Sequence, residues 1–189
     1  MKSRLVTTQK IVETAAALFL QYGFNAVSMD QIAGAAQVTK MTVYQHFRSK
    51  EILLLHCLRW RLEKREQYLD EHFKGLQPSN TQALDVFNWM AEREAKRGFH
   101  GCAFLKATQE MGATLPEVRA IAVEAKRLMR NRLVGMLQTA SFSNAERLGE
   151  ALSLLLEGAQ ALSLIEQSPK PLEAARREAE GLLASNIND

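Results

Sequence analysis

Polar side chains that could bind a polyanion are concentrated between residues 40 and 50. They carry ammonium, hydroxyl, amide or imidazole groups, and none of them is acidic: Lys40, Thr42, Tyr44, Gln45, His46 and Lys50. Lysine ammonium groups neutralise phosphates, hydroxyls donate hydrogen bonds to phosphate oxygens, and lysine or glutamine can read base edges in the major groove. Met41 could contact a thymine methyl group. The residue types indicate DNA binding, although an ordinary solvated helix surface could have the same composition.

Two short helices joined by a tight turn are predicted to hold these side chains. Ser28 is a good N-cap, and Gln31 can complete a capping box, so the first helix is expected to begin at Met29. The turn is expected at Gln37 and Val38. Thr39 can cap the second helix. The small residues at positions 33–36 would let the two helices cross closely, as a helix-turn-helix requires. The predicted buried positions are Ile32, Ala33, Ala36, Val43 and Phe47, with Val38 filling the turn.

The segment VTKMTVYQHFRSKEILL resembles the signature of the tetracycline-repressor (TetR) family of bacterial transcription regulators. The resemblance covers roughly residues 8–60 and includes the preceding helix, TTQKIVETAAALFLQYGF. It implies that the following residues lie at the DNA: Thr39, Lys40, Thr42, Tyr44, Gln45, His46 and Lys50. We add Ser28 and Met41 to this predicted set. The position of Met41 is often a small residue or proline in relatives, so no base preference is carried over for it.

The charge distribution agrees with a nucleic-acid-binding N-terminal region. Residues 1–65 carry ten basic and four acidic side chains, whereas residues 66–189 carry 14 basic and 17 acidic ones. The overall charge of +3 is therefore the sum of a basic N-terminal third and an acidic remainder. Such an asymmetry suggests a nucleic-acid module joined to a second, different module.

The whole chain is predicted to be all-α, with about nine helices, because apolar residues recur at helical spacing and no alternating strand pattern is present. The first helix should bury Ile11, Ala15, Leu18, Phe19 and Tyr22, and then end at Gly23 in a Schellman cap with Phe24 packed back. A long helix should run from about 50 to 73, and further helices should span about 81–97, 102–111, 116–140, 144–167 and 171–186. A cap for the helix near 81 is expected at Ser79 or Asn80. We predict a DNA-binding domain at 1–50, a connecting helix at about 50–73, and an effector-binding and dimerisation domain at 74–189.

Two apolar stripes on the helix at 144–167 suggest a dimer. One stripe comprises Leu148, Leu152, Leu155, Ala159 and Leu162, and is expected to face the core. The other stripe and one face of the last helix could meet a second copy in a four-helix bundle. The predicted interface is Ala151, Leu154, Gly158, Ala161, Ile165, Leu172, Ala179 and Leu182. A homodimer could read a palindromic operator in double-stranded DNA, since each half-site would take one reading helix. Both stripes could instead serve one monomer core.

By resemblance, a small-molecule effector is expected to enter a cavity in the C-terminal helices and to release the DNA. The candidate pocket residues are apolar or aromatic: Trp89, Met90, Phe104, Met111, Leu128 and Met129. Polar anchors could come from Arg93, His100, Lys106 and Glu110. Each of these residues could instead lie in an ordinary hydrophobic core or on a solvated surface.

Other functions find little support in the sequence. No catalytic triad, Walker loop, Rossmann glycine pattern or HExxH motif is visible, so an enzyme is not expected, and no cofactor is predicted. Cys57 and Cys102 lack paired metal spacing, and no metal site is predicted. No membrane span or signal peptide is expected, which indicates a cytoplasmic protein. Two alternatives stay open: a DNA-binding regulator without a small-molecule effector, and a helical enzyme.

Overall fold

Residues 2–75 and 80–186 are described by a computed structural model of the chain. Within them the protein is all-α, as predicted, and contains no strand. Its helices are α1 (Lys2–Tyr22), α2 (Met29–Ala35), α3 (Lys40–His46), α4 (Lys50–Phe73), α5 (Asn80–Arg97), α6 (Ala103–Met111), α7 (Pro116–Thr139), α8 (Ala145–Glu166) and α9 (Lys170–Ala184). The predicted bounds agree with these to within two residues. The cap predicted at Ser79 falls outside the described residues.

The helices form two compact units. The first comprises Met1–His72 and Ala103–Val123, and the second comprises Phe73–Cys102 and Glu124–Asp189. α6 and the start of α7 therefore pack with the N-terminal helices, although the sequence-based division placed them with the C-terminal domain. Packing partners far apart in the chain decide this assignment, so local sequence patterns cannot reveal it.

The core of the first unit is built on one face of α1. The buried residues of this helix follow an i, i+1, i+4, i+5 pattern: Ile11, Val12, Ala15, Ala16, Phe19 and Leu20. Leu18 is only half-buried, and Tyr22 is 57% exposed, so its predicted burial is wrong. Tyr22 is the last helical residue, and the buried Phe24 covers that end of the core instead, with its ring 5.4 Å from that of Phe19.

The end of α1 differs from the predicted Schellman cap. Gly23 adopts a left-handed conformation, with φ of 88°, and its N–H donates to the Phe19 carbonyl at 3.0 Å. This single bond is the αL motif. The Phe24 N–H, which a Schellman cap would direct back into the helix, donates to Glu110 Oε1 at 3.2 Å. A carboxylate from α6 thus replaces the second capping bond.

In the second unit, α8 packs against both α5 and α9. Its buried face follows the 3.6-residue period: Ala145, Leu148, Gly149, Leu152, Leu156, Ala159, Gln160 and Ser163. The predicted core stripe is therefore correct at Leu148, Leu152 and Ala159. It is wrong at Leu162, which is exposed, because a strict seven-residue repeat drifts away from the buried side of a straight helix.

Among the described residues, α8 is the one helix long and apolar enough to cross a membrane by length and composition. About 39% of its most apolar 18-residue window is buried inside the protein. This is weak evidence for a membrane span, because a core helix of a soluble protein has the same composition.

Candidate nucleic-acid interface

The predicted capping box at the start of α2 is confirmed. Ser28 Oγ accepts a hydrogen bond from the Gln31 N–H at 3.2 Å, and Gln31 Oε1 accepts one from the Ser28 N–H at 2.7 Å. The Ser28 hydroxyl is therefore engaged in capping, although the residue stays exposed. Its structural role is to set where α2 begins.

The turn between α2 and α3 is a Schellman motif with glutamine at the left-handed position. The Val38 N–H donates to the Ala33 carbonyl and the Gln37 N–H to the Gly34 carbonyl, both at 3.0 Å. Gln37 has a φ of 53°, which a residue with a Cβ adopts only at a cost. Ala33 and Ala36 are buried as predicted, whereas Gly34 is exposed.

We expect the Gln37→Gly variant to be more stable than the parent protein, by about 0.5 to 1 kcal/mol, because glycine adopts the left-handed conformation without steric strain. The midpoint of thermal unfolding should rise by roughly 1 to 4 °C. Circular dichroism during heating measures this shift.

Gln9→Gly is the matched control. Gln9 is exposed in the middle of α1, where glycine costs roughly 0.5 to 1 kcal/mol relative to a helix-forming residue. The same substitution should therefore lower the midpoint here. Equal destabilisation in both variants would contradict the proposed strain at Gln37.

α3 is held by its cap and by two buried side chains. Thr39 Oγ1 accepts from the Thr42 N–H at 3.0 Å, which confirms the predicted N-cap. Val43 and Phe47 are buried, also as predicted. The hydroxyl of Thr42 lies 2.8 Å from that of Thr39, so it is already engaged within the turn.

The outward face of α3 presents four side chains to solvent. Lys40, Met41, Tyr44 and Gln45 are all exposed. This face carries a cation, a thioether, a phenol and an amide, a set that can meet both phosphates and base edges.

His46 is less available than the sequence predicted. It is half-buried, and its Nδ1 lies 2.7 Å from Thr8 Oγ1 in α1. The contact links the end of α3 to the first helix, so the imidazole helps to hold α3 in place.

An acidic residue lies beside the polar face of α3, which the sequence analysis did not foresee. Asp30 Oδ2 accepts a hydrogen bond from Lys40 Nζ at 2.8 Å, and both side chains are exposed. The hydrogen bond with Asp30 raises the pKa of Lys40 above its ordinary value, so Lys40 is charged at neutral pH. A carboxylate at a surface that meets phosphates is repulsive unless it orients a cation.

Lys50 has internal partners. Its Nζ donates to the carbonyls of Phe24 at 2.9 Å and Val27 at 3.0 Å, and lies 4.2 Å from the centroid of the Phe24 ring. Two of its three ammonium hydrogens are thereby used. This geometry favours a role in positioning the α1–α2 connection over the predicted phosphate contact.

α6 binds both the end of α1 and the loop that follows it. Lys106 Nζ donates to the Leu20 carbonyl at 2.6 Å, and Glu110 Oε2 accepts from the Asn25 N–H at 2.8 Å. A Cβ on Gly23 would lie 2.7 Å from Glu110 Oε1. Lys106 and Glu110 were predicted as possible anchors for an effector, but both are bound to the backbone of the first unit.

The six residues predicted to line an effector pocket fall in different units. Trp89, Met90 and Met129 are buried in the second unit, where Leu128 is half-buried, while Phe104 and Met111 belong to the first. A cavity of about 20 Å³ lies between α1, α4 and α6 in the first unit, and none of the six lines it. It has room for about one water molecule.

The predicted dimer residues separate into two groups. Leu154, Gly158, Ala161 and Ile165 are exposed along one face of α8, and Ala151 beside them is half-buried. Leu172 and Ala179 are fully buried in the core of their own unit, so they cannot meet a second copy, and Leu182 is half-buried. The apolar face of α9 is thus used within the protomer.

Comparison with known proteins supports these observations. Residues 11–57 match the model of bacterial regulatory proteins of the tetR family. Residues 81–178 match the C-terminal domain of transcriptional regulators similar to LmrA and YxaF. The second match covers more than half of the chain.

Individual proteins show the same relationship. The transposon Tn10 TetC protein of Escherichia coli is 41% identical over 63 residues, which span 33% of this chain and 32% of TetC. The transcriptional regulator AcuR of Cereibacter sphaeroides is 26% identical over 89% of this chain and 81% of its own. The crystal structure of a TetR transcriptional regulator from Chloroflexus aurantiacus has a TM-score of 0.84 and 27% identity, with 97% of each chain covered.

The capped helix pair, the outward polar face of α3 and the two family matches lead to one conclusion: this chain belongs to the TetR family and is a DNA-binding transcriptional regulator.

Proposed function

We propose that the protein is a cytoplasmic, non-enzymatic repressor that binds a palindromic operator as a homodimer and is released from it by a small molecule. The observation that carries the proposal is the outward face of α3, where Lys40, Met41, Tyr44 and Gln45 are exposed on a helix anchored by Val43 and Phe47. Thr39 and Thr42 complete this surface at its N-terminal end.

Homodimerisation is supported by the apolar stripe on α8. Leu154, Gly158, Ala161 and Ile165 follow one another at spacings of four, three and four residues, so they share one helix face. All four are exposed in the protomer. Exposed aliphatic side chains flanked by small residues suit the close approach of a second α8, and a twofold axis would then place two α3 helices on two half-sites.

Small-molecule control is supported by membership of the family. A second candidate is a regulator without a small-molecule effector. Both candidates require the same operator-binding dimer.

Selection of bound duplexes from a random pool, at about physiological salt, tests the operator proposal. We expect a palindrome whose half-sites are centred roughly 34 to 36 Å apart, one turn of DNA, because each protomer contributes one α3. Enrichment of a single non-repeated site would contradict binding of two half-sites by a homodimer. Binding without any enriched sequence, lost as the salt concentration rises, would contradict specific operator recognition.

A further inference from the structure

A cysteine, a lysine and a glutamate form a contiguous cluster in the second unit, away from α3. Cys102 Sγ accepts a hydrogen bond from Lys126 Nζ at 3.2 Å, and the same ammonium is bonded to the carboxylate of Glu157. The side chains of Lys126 and Glu157 are each 34% exposed, and Cys102 is half-buried. Small reagents in solvent can therefore reach the cluster.

The backbone before Cys102 is held firmly. Gly98 and Gly101 have φ values of 80° and 73°, and Phe99 between them has a φ of 55°. The Gly101 N–H donates to Oε2 of the buried Glu94 at 3.2 Å, and a Cβ on Gly101 would lie 3.0 Å from the Leu164 side chain. The sulfur of the next residue is thus presented to Lys126 by a fixed loop.

The surroundings of Cys102 favour nucleophilic chemistry, whereas those of Cys57 do not. The thiolate is the form of cysteine that reacts with oxidants, and the oxidant must be able to reach the sulfur. Cys57 is buried, and burial raises its pKa to about 12, so this thiol stays protonated. The chain therefore contains its own unreactive control cysteine.

We propose that Cys102 and Lys126 form an oxidation-sensitive pair that becomes covalently joined when a peroxide oxidises the sulfur. In the first step the thiolate attacks the O–O bond of hydrogen peroxide, which gives a sulfenic acid and releases hydroxide. The sulfur loses two electrons, and the peroxide is reduced.

In the second step Glu157 takes a proton from the Lys126 ammonium, and the free amine attacks the sulfenic sulfur. An S–N bond forms and the S–O bond breaks, so the hydroxyl leaves with a proton as water. Sulfenic acids are known to condense with nitrogen nucleophiles in this way. The product is a sulfenamide that a thiol can reduce back to cysteine and lysine.

This inference does not depend on DNA binding, and it adds oxidation as a second chemical input to the protein. The link would fasten α7, through Lys126, to the residue immediately before the start of α6.

Mass spectrometry of the full chain after treatment with hydrogen peroxide tests the proposal. The protein is denatured, its free thiols are alkylated and it is digested with a protease specific for acidic residues. We expect a joined pair of peptides containing Cys102 and Lys126, about 2 Da lighter than the two reduced peptides together, because condensation removes two hydrogens. Dithiothreitol should restore the separate peptides.

Two variants separate the proposed cross-link from general oxidation. Lys126→Arg keeps a cation beside the sulfur but has no primary amine, so it should abolish the joined peptide and leave a sulfenic acid on Cys102 that dimedone traps. Cys57→Ala should form the link as the parent does. Circular dichroism tests whether both variants are folded. Oxidation of Cys102 without a joined peptide in the parent, or equal dimedone labelling of Cys57 and Cys102 in the Lys126→Arg variant, would overturn the proposal.

Discussion

A chain carrying both Leu154→Asp and Ile165→Asp is expected to be monomeric and to lose most of its operator affinity. These side chains are 69% and 76% exposed in the protomer, so aspartate should leave the fold of each protomer intact. In a dimer built on the α8 stripe both carboxylates would be buried against the second protomer, where unpaired charges are strongly unfavourable. The dimer should therefore dissociate.

Loss of the dimer removes simultaneous binding to two half-sites. We expect operator affinity to fall by roughly 100-fold or more, since linked sites commonly add that much avidity. Sedimentation velocity measures the assembly state, and a mobility-shift titration with the selected operator measures the affinity.

Val123→Asp is the matched control. Val123 is 62% exposed and lies on α7, outside the α8 stripe, so this variant should remain dimeric and bind DNA as the parent does. A dimeric double variant would place the interface elsewhere. A monomer that keeps full affinity would show that one α3 suffices for operator binding.

Lys40→Ala is expected to weaken operator binding by roughly tenfold or more, because it removes the one cation on the exposed face of α3 and leaves Asp30 without its partner. If Lys40 meets a phosphate, the slope of log affinity against log salt should fall by about one for each protomer. If it reads a base edge, the preference at one operator position should relax. Mobility-shift titrations at several salt concentrations distinguish the two cases.

The role of Asp30 follows from the same measurements. Asp30→Asn removes the carboxylate, so affinity for unrelated DNA should rise, while discrimination between operator and unrelated DNA should fall because Lys40 is no longer held in one position. A variant carrying both Asp30→Asn and Lys40→Ala should bind the operator more tightly than Lys40→Ala alone, since the unpaired negative charge is gone. Additive effects of the two substitutions would show that Asp30 and Lys40 act independently.

The helices and the exposed polar face of α3 could be predicted from the sequence, because both depend on short-range interactions. The caps at Ser28 and Thr39 involve residues three apart in the chain, and Val43 and Phe47 lie four residues apart on one face of α3. Hydrogen bonds and apolar periodicity over one or two turns are set by neighbouring residues. The exposed stripe on α8 was predicted for the same reason.

Long-range packing sets which polar and apolar groups are already engaged, so these contacts became visible in the folded chain. Glu110 lies 86 residues from Phe24, and Lys50 lies 26 residues from the same loop, yet both are bonded to it. The buried positions of Leu172 and Ala179 likewise follow from how α9 packs, although their spacing is as amphipathic as an interface would require. Periodicity shows that a face is apolar, but it does not say what covers it. The partner that covers an apolar face is set by contacts between residues far apart in the chain, so local sequence patterns do not predict it.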